Sequence, residues 1–188
     1  MALKLWVFFL CLWFTGICHA RKQGLEKANV FVKQANRSEN NFDCVAVSKQ
    51  LQKANDFIYT QANGVEGTLY TLESEILLLY FYDPTCEDCH ELMEQLNTSE
   101  IINQLKDEKR LLILAVYPEE DMDLWMPYTK QVPSDWINGY DKGARINVEG
   151  LFLLTSLPTL YLLDEKKNIL LQTTAFDDIE QELEKKIN

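Results

Sequence analysis

Cys86 and Cys89 are separated by two acids, Glu87 and Asp88, and followed by His90. Thiols three residues apart meet on one side of a helix, and two that meet can exchange disulfides with a third party. The pair follows the apolar run Ile76 to Tyr82, which stops abruptly at Asp83-Pro84, and it opens a stripe of Leu92, Leu96, Ile101, Ile102 and Leu105. It therefore stands where a buried strand ends and a helix begins. At such a start the unpaired amides and the helix dipole stabilise a thiolate, which makes Cys86 the nucleophile. Cys89, one turn deeper, is placed to attack the mixed disulfide and release product. Thr85 is expected as the N-cap, with Asp88 three positions on completing a capping box.

Glu87 and Asp88 suit the dipole but set carboxylates beside the Cys86 sulfur, where like charge opposes the thiolate. His90, if protonated, offsets part of that repulsion. The balance predicts a reducing couple, nearer about −250 mV than the about −120 mV of the strongest oxidant of this chemistry. Cys86, Cys89 and His90 also have the spacing of a c-type haem attachment site, with His90 and one of Met93, Met122 or Met126 as axial ligands. No second ligand cluster accompanies the three, so no bound metal is expected.

The elements that must hold this pair follow from the rest of the chain. Lys4 and the uncharged run Leu5 to Phe14 read as a secretory signal too short to span a bilayer, with cleavage after Ala20. Cys18 offers a lipid anchor, but Ile17 is too large for the position before an acylated cysteine. The chain is thus expected to be exported, periplasmic and not integral to the membrane. Loss of Lys4 takes the net charge from −11 to −12, a field that repels phosphate backbones and excludes nucleic acid as a partner. Of five cysteines, Cys11 and Cys18 leave with the signal. The remaining Cys44, Cys86 and Cys89 are an odd number, which speaks against a structural disulfide framework. Cys44 is read as a buried filler.

Leu25, Ala28, Val32 and Ala35, then Val47, Leu51, Ala54 and Ile58, recur at helical spacing and predict two amphipathic helices ending near Gly64. Thr68 to Leu72 alternates as a half-buried strand, and Leu111 to Tyr117 is a second fully apolar strand. Asp121 to Lys142 is expected to be a short helix with a packed loop, and Val148 to Thr155 a short helix. Thr159 to Leu163 and Ile169 to Thr173 form a hairpin about the polar turn Asp164 to Asn168, and Ile179, Leu183 and Ile187 mark a closing helix. Helices between the second, third and fourth strands suit a parallel core with an antiparallel edge, a mixed α/β sheet covered on both faces.

Leu78-Leu79-Tyr80-Phe81-Tyr82-Asp83-Pro84-Thr85-Cys86-Glu87-Asp88-Cys89 resembles the active-site strand, turn and helix of the thioredoxin superfamily. Leu157-Pro158-Thr159-Leu160-Tyr161-Leu162-Leu163-Asp164 resembles its second signature, a cis-proline before a core strand. The strand at Thr68 to Leu72 and the hairpin from Leu160 to Leu171 are most similar to the TlpA-like branch of exported bacterial disulfide oxidoreductases. The resemblance implies a three-layer thioredoxin-like domain over 65–188, behind a helical extension at 21–64 and the signal at 1–20. It implies that Cys86 attacks, that Cys89 resolves, that Pro158 is cis and that the Leu157 backbone meets the substrate. It further implies protein thiols and disulfides as substrates, a separate electron-donor protein, and no cofactor beyond a redox-active Cys86-Cys89 disulfide. Two departures stand out: Tyr80 occupies the place of a buried aspartate and Leu92 that of a glutamate, leaving Asp83 or Glu91 as substitutes. A rival expectation keeps the fold without turnover, as a binding module docking a partner through the helical segment Leu25 to Ile58.

Overall fold

The computed structural model describes residues 51–187. The signal at 1–20, Cys18, Cys44 and the first expected helix lie outside the described residues. Seven strands form one sheet: β1 (Ile58–Gln61), β2 (Glu66–Thr68), β3 (Ile76–Phe81), β4 (Leu111–Tyr117), β5 (Ile137–Tyr140), β6 (Thr159–Asp164) and β7 (Ile169–Thr173), in the order β2-β1-β5-β4-β3-β6-β7. Among the described residues five α-helices accompany them: α1 (Glu87–Thr98), α2 (Glu100–Asp107), α3 (Met122–Tyr128), α4 (Arg145–Val148) and α5 (Phe176–Ile187).

β3 can lie in the interior of the sheet because every residue in it is apolar or aromatic, so both of its faces can be covered. It pairs in parallel with β4, Ile76 opposite Leu111 through Phe81 opposite Val116, and β4 continues in parallel with β5. On its other side β3 runs antiparallel to β6, with Tyr80 opposite Leu160. The parallel set is therefore β3, β4 and β5. This corrects the expectation that the strand from Thr159 would join it, and the reversal brings the N-terminal end of β6 beside the C-terminal end of β3.

Alternation along β3 divides the core. Ile76, Leu78, Tyr80 and Tyr82 pack with Leu92, Met93 and Leu96 of α1, Ile102 and Leu105 of α2, Trp125 of α3, and Ile179 and Leu183 of α5. Leu77, Leu79 and Phe81 face the other way, onto Phe57, Leu69, Ile146 of α4, Phe152 and Tyr161. The break expected at Asn97 to Ser99 is a shared cap. Ser99 closes α1 through its N–H to the Gln95 carbonyl and starts α2, its hydroxyl accepting from the Ile102 N–H.

The helix predicted through Leu51, Ala54 and Ile58 is not present among the described residues. The chain there is extended, with Lys53 bridging Asn168, and enters β1, which pairs with β2 and β5. Apolar spacing of three and four was matched by chance, and cross-strand bonds supplied by distant residues override it. Gly64, read as a boundary, sits at φ +80° in the turn of the β1–β2 hairpin. The strand expected at Thr68 to Leu72 ends at Thr68. A 3-10 turn over Leu69–Thr71 follows, held by the Thr71 hydroxyl on the Thr68 carbonyl and the Thr68 N–H on the Thr71 oxygen. The helix expected over Val148 to Thr155 does not form: α4 ends at Val148, where it was to begin, and the chain beyond is irregular from Gly150, which takes a positive φ.

Candidate active site

β3 delivers the chain to the sheet edge at Tyr82, and the turn Asp83-Pro84-Thr85 reverses it into α1. The local chemistry of that turn differs from the expected cap. The Asp83 carboxylate accepts from the Thr85 N–H at 2.7 Å and the Thr85 hydroxyl at 2.6 Å, an Asx turn that occupies the threonine. The cap falls to the next residue: the Cys86 sulfur accepts from the Cys89 N–H at 3.2 Å. The nucleophile candidate is thus itself the capping group, in direct contact with an unpaired amide of the helix start.

Cys86 is partly exposed and Cys89 is fully buried, and both are free thiols. Burial pushes the Cys89 thiol far above the ordinary thiol range; its hydrogen bond with Cys86 adds to this, and the Asp83 backbone N–H opposes it. The pair is asymmetric, with one sulfur reachable and the other held protonated beneath it. Leu157 lies across from them. Its carbonyl is 3.7 Å from the Cys86 sulfur, its peptide bond to Pro158 is cis, and its side chain is half-buried between the two core clusters. The fold brings Cys86, Cys89, Leu157 and Pro158 together, although 71 residues separate Cys86 from Leu157.

Glu87 and Asp88 are exposed in the first turn of α1. His90 is turned inward: its Nε2 is 2.9 Å from the Pro84 carbonyl and its ring stacks on Tyr128 at 4.9 Å. An iron ligand would have to give up both contacts, and Met93 directs its sulfur to the Tyr128 hydroxyl at 3.9 Å. No group of three or more metal-ligating side chains occurs among the described residues. Glu91 is exposed and Leu92 buried, so neither sets an acid against Cys89.

Sequence reasoning missed what lies beneath the cysteines. Tyr80 is fully buried and its hydroxyl donates to the Cys89 carbonyl at 2.5 Å. Tyr82 stacks on Tyr80 at 5.3 Å, accepts from Trp125 Nε1 at 2.9 Å and donates to Asn138 Oδ1 at 2.9 Å. Tyr128 packs on Tyr82 at 5.5 Å. Burial raises all three phenols, Tyr128 to about 12. The signal was available in Tyr80-x-Tyr82, because two tyrosines at strand spacing in a buried run must put both hydroxyls on one face, where each needs a partner.

This arrangement, a dithiol at a helix start facing an X-Pro turn across the end of a central strand, agrees with the family comparisons. A family model described as thioredoxin-like matches residues 74–169. The chain belongs to the thioredoxin-like family. Among solved structures, a thioredoxin-like protein from Bacteroides caccae is 42% identical with a TM-score of 0.69 over 71% of this chain. That match takes in 48% of the relative, so the chain spans about half of its length. The C-terminal domain of a Bacteroides fragilis protein is 40% identical at TM-score 0.69, over 71% of this chain and 95% of that one. The thioredoxin domain of a thiol-disulfide oxidoreductase from Bacteroides vulgatus shares the fold at 20% identity and TM-score 0.63, over 73% of this chain and 96% of the other. The curated proteins contain no match to this thioredoxin-like chain.

Proposed function

We propose that this chain is an exported thiol-disulfide oxidoreductase that reduces protein disulfides through Cys86 and Cys89. In the first step the Cys86 thiolate attacks a substrate disulfide; a Cys86–substrate bond forms, the substrate disulfide breaks, and one substrate thiolate leaves. In the second, Cys89 gives up its proton to solvent or to that thiolate and attacks the Cys86 sulfur. The Cys86–Cys89 disulfide forms, the second substrate thiol is released, and two electrons have passed to the substrate. A donor dithiol protein must return them.

The observation that carries the reading is the placement of the two sulfurs: the partly exposed Cys86 sulfur lies 3.2 Å from the Cys89 N–H at the helix start, while the Cys89 sulfur is buried beneath it and burial pushes its ionisation up. The Leu157 carbonyl beside Cys86 supports a docking role for that backbone. The reducing direction rests on the two acids at 87 and 88, exposed in the first turn of α1 between the cysteines. Export rests on the charged start and apolar run before Ala20; among the described residues no helix is long and apolar enough to cross a membrane.

Equilibration of the purified protein in dithiothreitol and glutathione buffers tests the direction. A midpoint near about −250 mV supports the reductase, and one near about −120 mV favours a disulfide-forming role instead.

A further inference from the structure

The two sulfurs are held by different parts of the molecule. Cys86 is placed by its turn: its N–H donates to the Asp83 carbonyl at 3.1 Å and its sulfur meets the Leu157 carbonyl. Cys89 is placed from below. The Tyr80 hydroxyl spans from the middle of the sheet to the Cys89 carbonyl, and its backbone is fixed on both sides, opposite Ala115 of β4 and Leu160 of β6. Its ring is fixed as well, by stacking on Tyr82 with an interplanar angle of 14° and by an edge contact to Trp136 at 6.2 Å. A cysteine sulfur is one rotatable bond from its backbone, so the depth of the Cys89 sulfur follows the position of the turn that Tyr80 holds.

We propose that Tyr80 is a positioning residue for the second exchange step, holding the first turn of α1 so that the Cys89 sulfur meets the Cys86–substrate disulfide. The proposal rests on the dithiol reading above and deepens it by separating the two steps. Tyr80 takes no proton. Its phenol is buried and its ionisation is pushed far above the ordinary range, so it serves only as a hydrogen-bond donor. The residue acts directly on the turn that carries the resolving sulfur; the attacking sulfur meets that turn only through the Cys89 N–H and is held besides by Asp83 and Leu157.

Tyr80→Phe removes the hydroxyl and keeps the ring. The probe is a symmetrical nitrothiobenzoate disulfide, which releases one coloured thiolate when Cys86 attacks and a second when Cys89 resolves, so stopped-flow absorbance reads both steps in one trace. Wild type gives two phases; if it gives none, the dithiol reading itself fails. In Tyr80→Phe the first phase keeps its rate within about twofold and the second slows by about tenfold, below the roughly 10²-fold cost of a 1 Å misplacement. Tyr82→Phe serves as the control, because it removes a buried hydroxyl from the same cluster that bonds Trp125 and Asn138 and not α1. It lowers the thermal midpoint and leaves both phases unchanged. Circular dichroism confirms that each variant folds. Equal second phases in wild type and Tyr80→Phe would overturn the proposal. So would a Tyr82→Phe variant slowed as much as Tyr80→Phe, since the cluster would then act only through general packing.

Discussion

The two faces of β3 come from one run of six residues and are built differently. On one face Leu77, Leu79 and Phe81 meet hydrocarbon and rings, Phe81 packing against Phe57, Phe152 and Tyr161 at 6.2, 5.1 and 6.0 Å. On the other, Tyr80 is followed by Tyr82 and then by the cysteines, and each buried hydroxyl there is bonded. Apolar contact is non-directional and tolerates small shifts, whereas a buried hydroxyl commits its partner to a distance and an angle. The hydrocarbon face supplies stability, and on the hydroxyl face the Tyr80 contact fixes the turn that carries Cys89.

The sharpest way to break that division is on the hydrocarbon face. Phe81→Ala is expected to cost about 3–5 kcal/mol, through lost burial and the cavity left among three rings. Urea denaturation measures it. The folded variant should retain both exchange phases, and a lost second phase would show that the faces are not separable.

A smaller effect sharpens the comparison from the hydroxyl face. Burial raises Cys89, Tyr80, Tyr82 and Tyr128 above their ordinary ranges. Between the unfolded and folded ionisations the native state holds protons that the unfolded chain has released. Stability of the reduced protein therefore falls as pH rises, starting near pH ~8.5, where an unfolded thiol ionises. In the oxidised protein Cys89 has no proton to lose, and the fall should begin about one to two pH units higher, with the phenols. Denaturation curves of both forms across this range check the sign, and a reduced protein that gains stability with pH would contradict it.

The smallest effect lies away from both faces. Arg110 binds Glu75 through two 2.9 Å contacts and the Lys186 carbonyl through another, at the far end of the sheet from Cys86. These contacts lie at the surface, where solvent screens them, so Arg110→Ala should shift the thermal midpoint only slightly and leave exchange unaltered.

The elements legible in the sequence are those whose signal is local. β3, β4, β6, β7, α1 and α5 were readable from apolar runs or helical stripes, and Cys86 and Cys89 from their spacing at a strand-to-helix junction. β5 was not legible, because its four residues include Asn138 and Gly139. The glycine is there for space: a Cβ would stand 2.8 Å from Tyr59 Cδ2. β1 was hidden by a false helical period, since its pairing partners lie at Glu66–Thr68 and Gly139–Tyr140. At the site, Thr85 was misread as the cap because Asp83, two residues earlier, competes for it more strongly. Tyr80 was read only as the residue in place of a buried aspartate, and its contact with Cys89 was missed because a tyrosine in a buried run looks like core until its hydroxyl partner is located.

The central claim, that the outer sulfur attacks and the inner one resolves, is tested most directly by trapping. Cys86→Ser and Cys89→Ser proteins are incubated with a disulfide-bonded protein substrate, quenched in acid and separated without reductant. Cys89→Ser is expected to accumulate a covalent mixed disulfide through Cys86, and Cys86→Ser to accumulate none through Cys89, because that thiol is buried and held protonated. Trapping by Cys86→Ser in place of Cys89→Ser would reverse the roles, and trapping by neither would contradict the account.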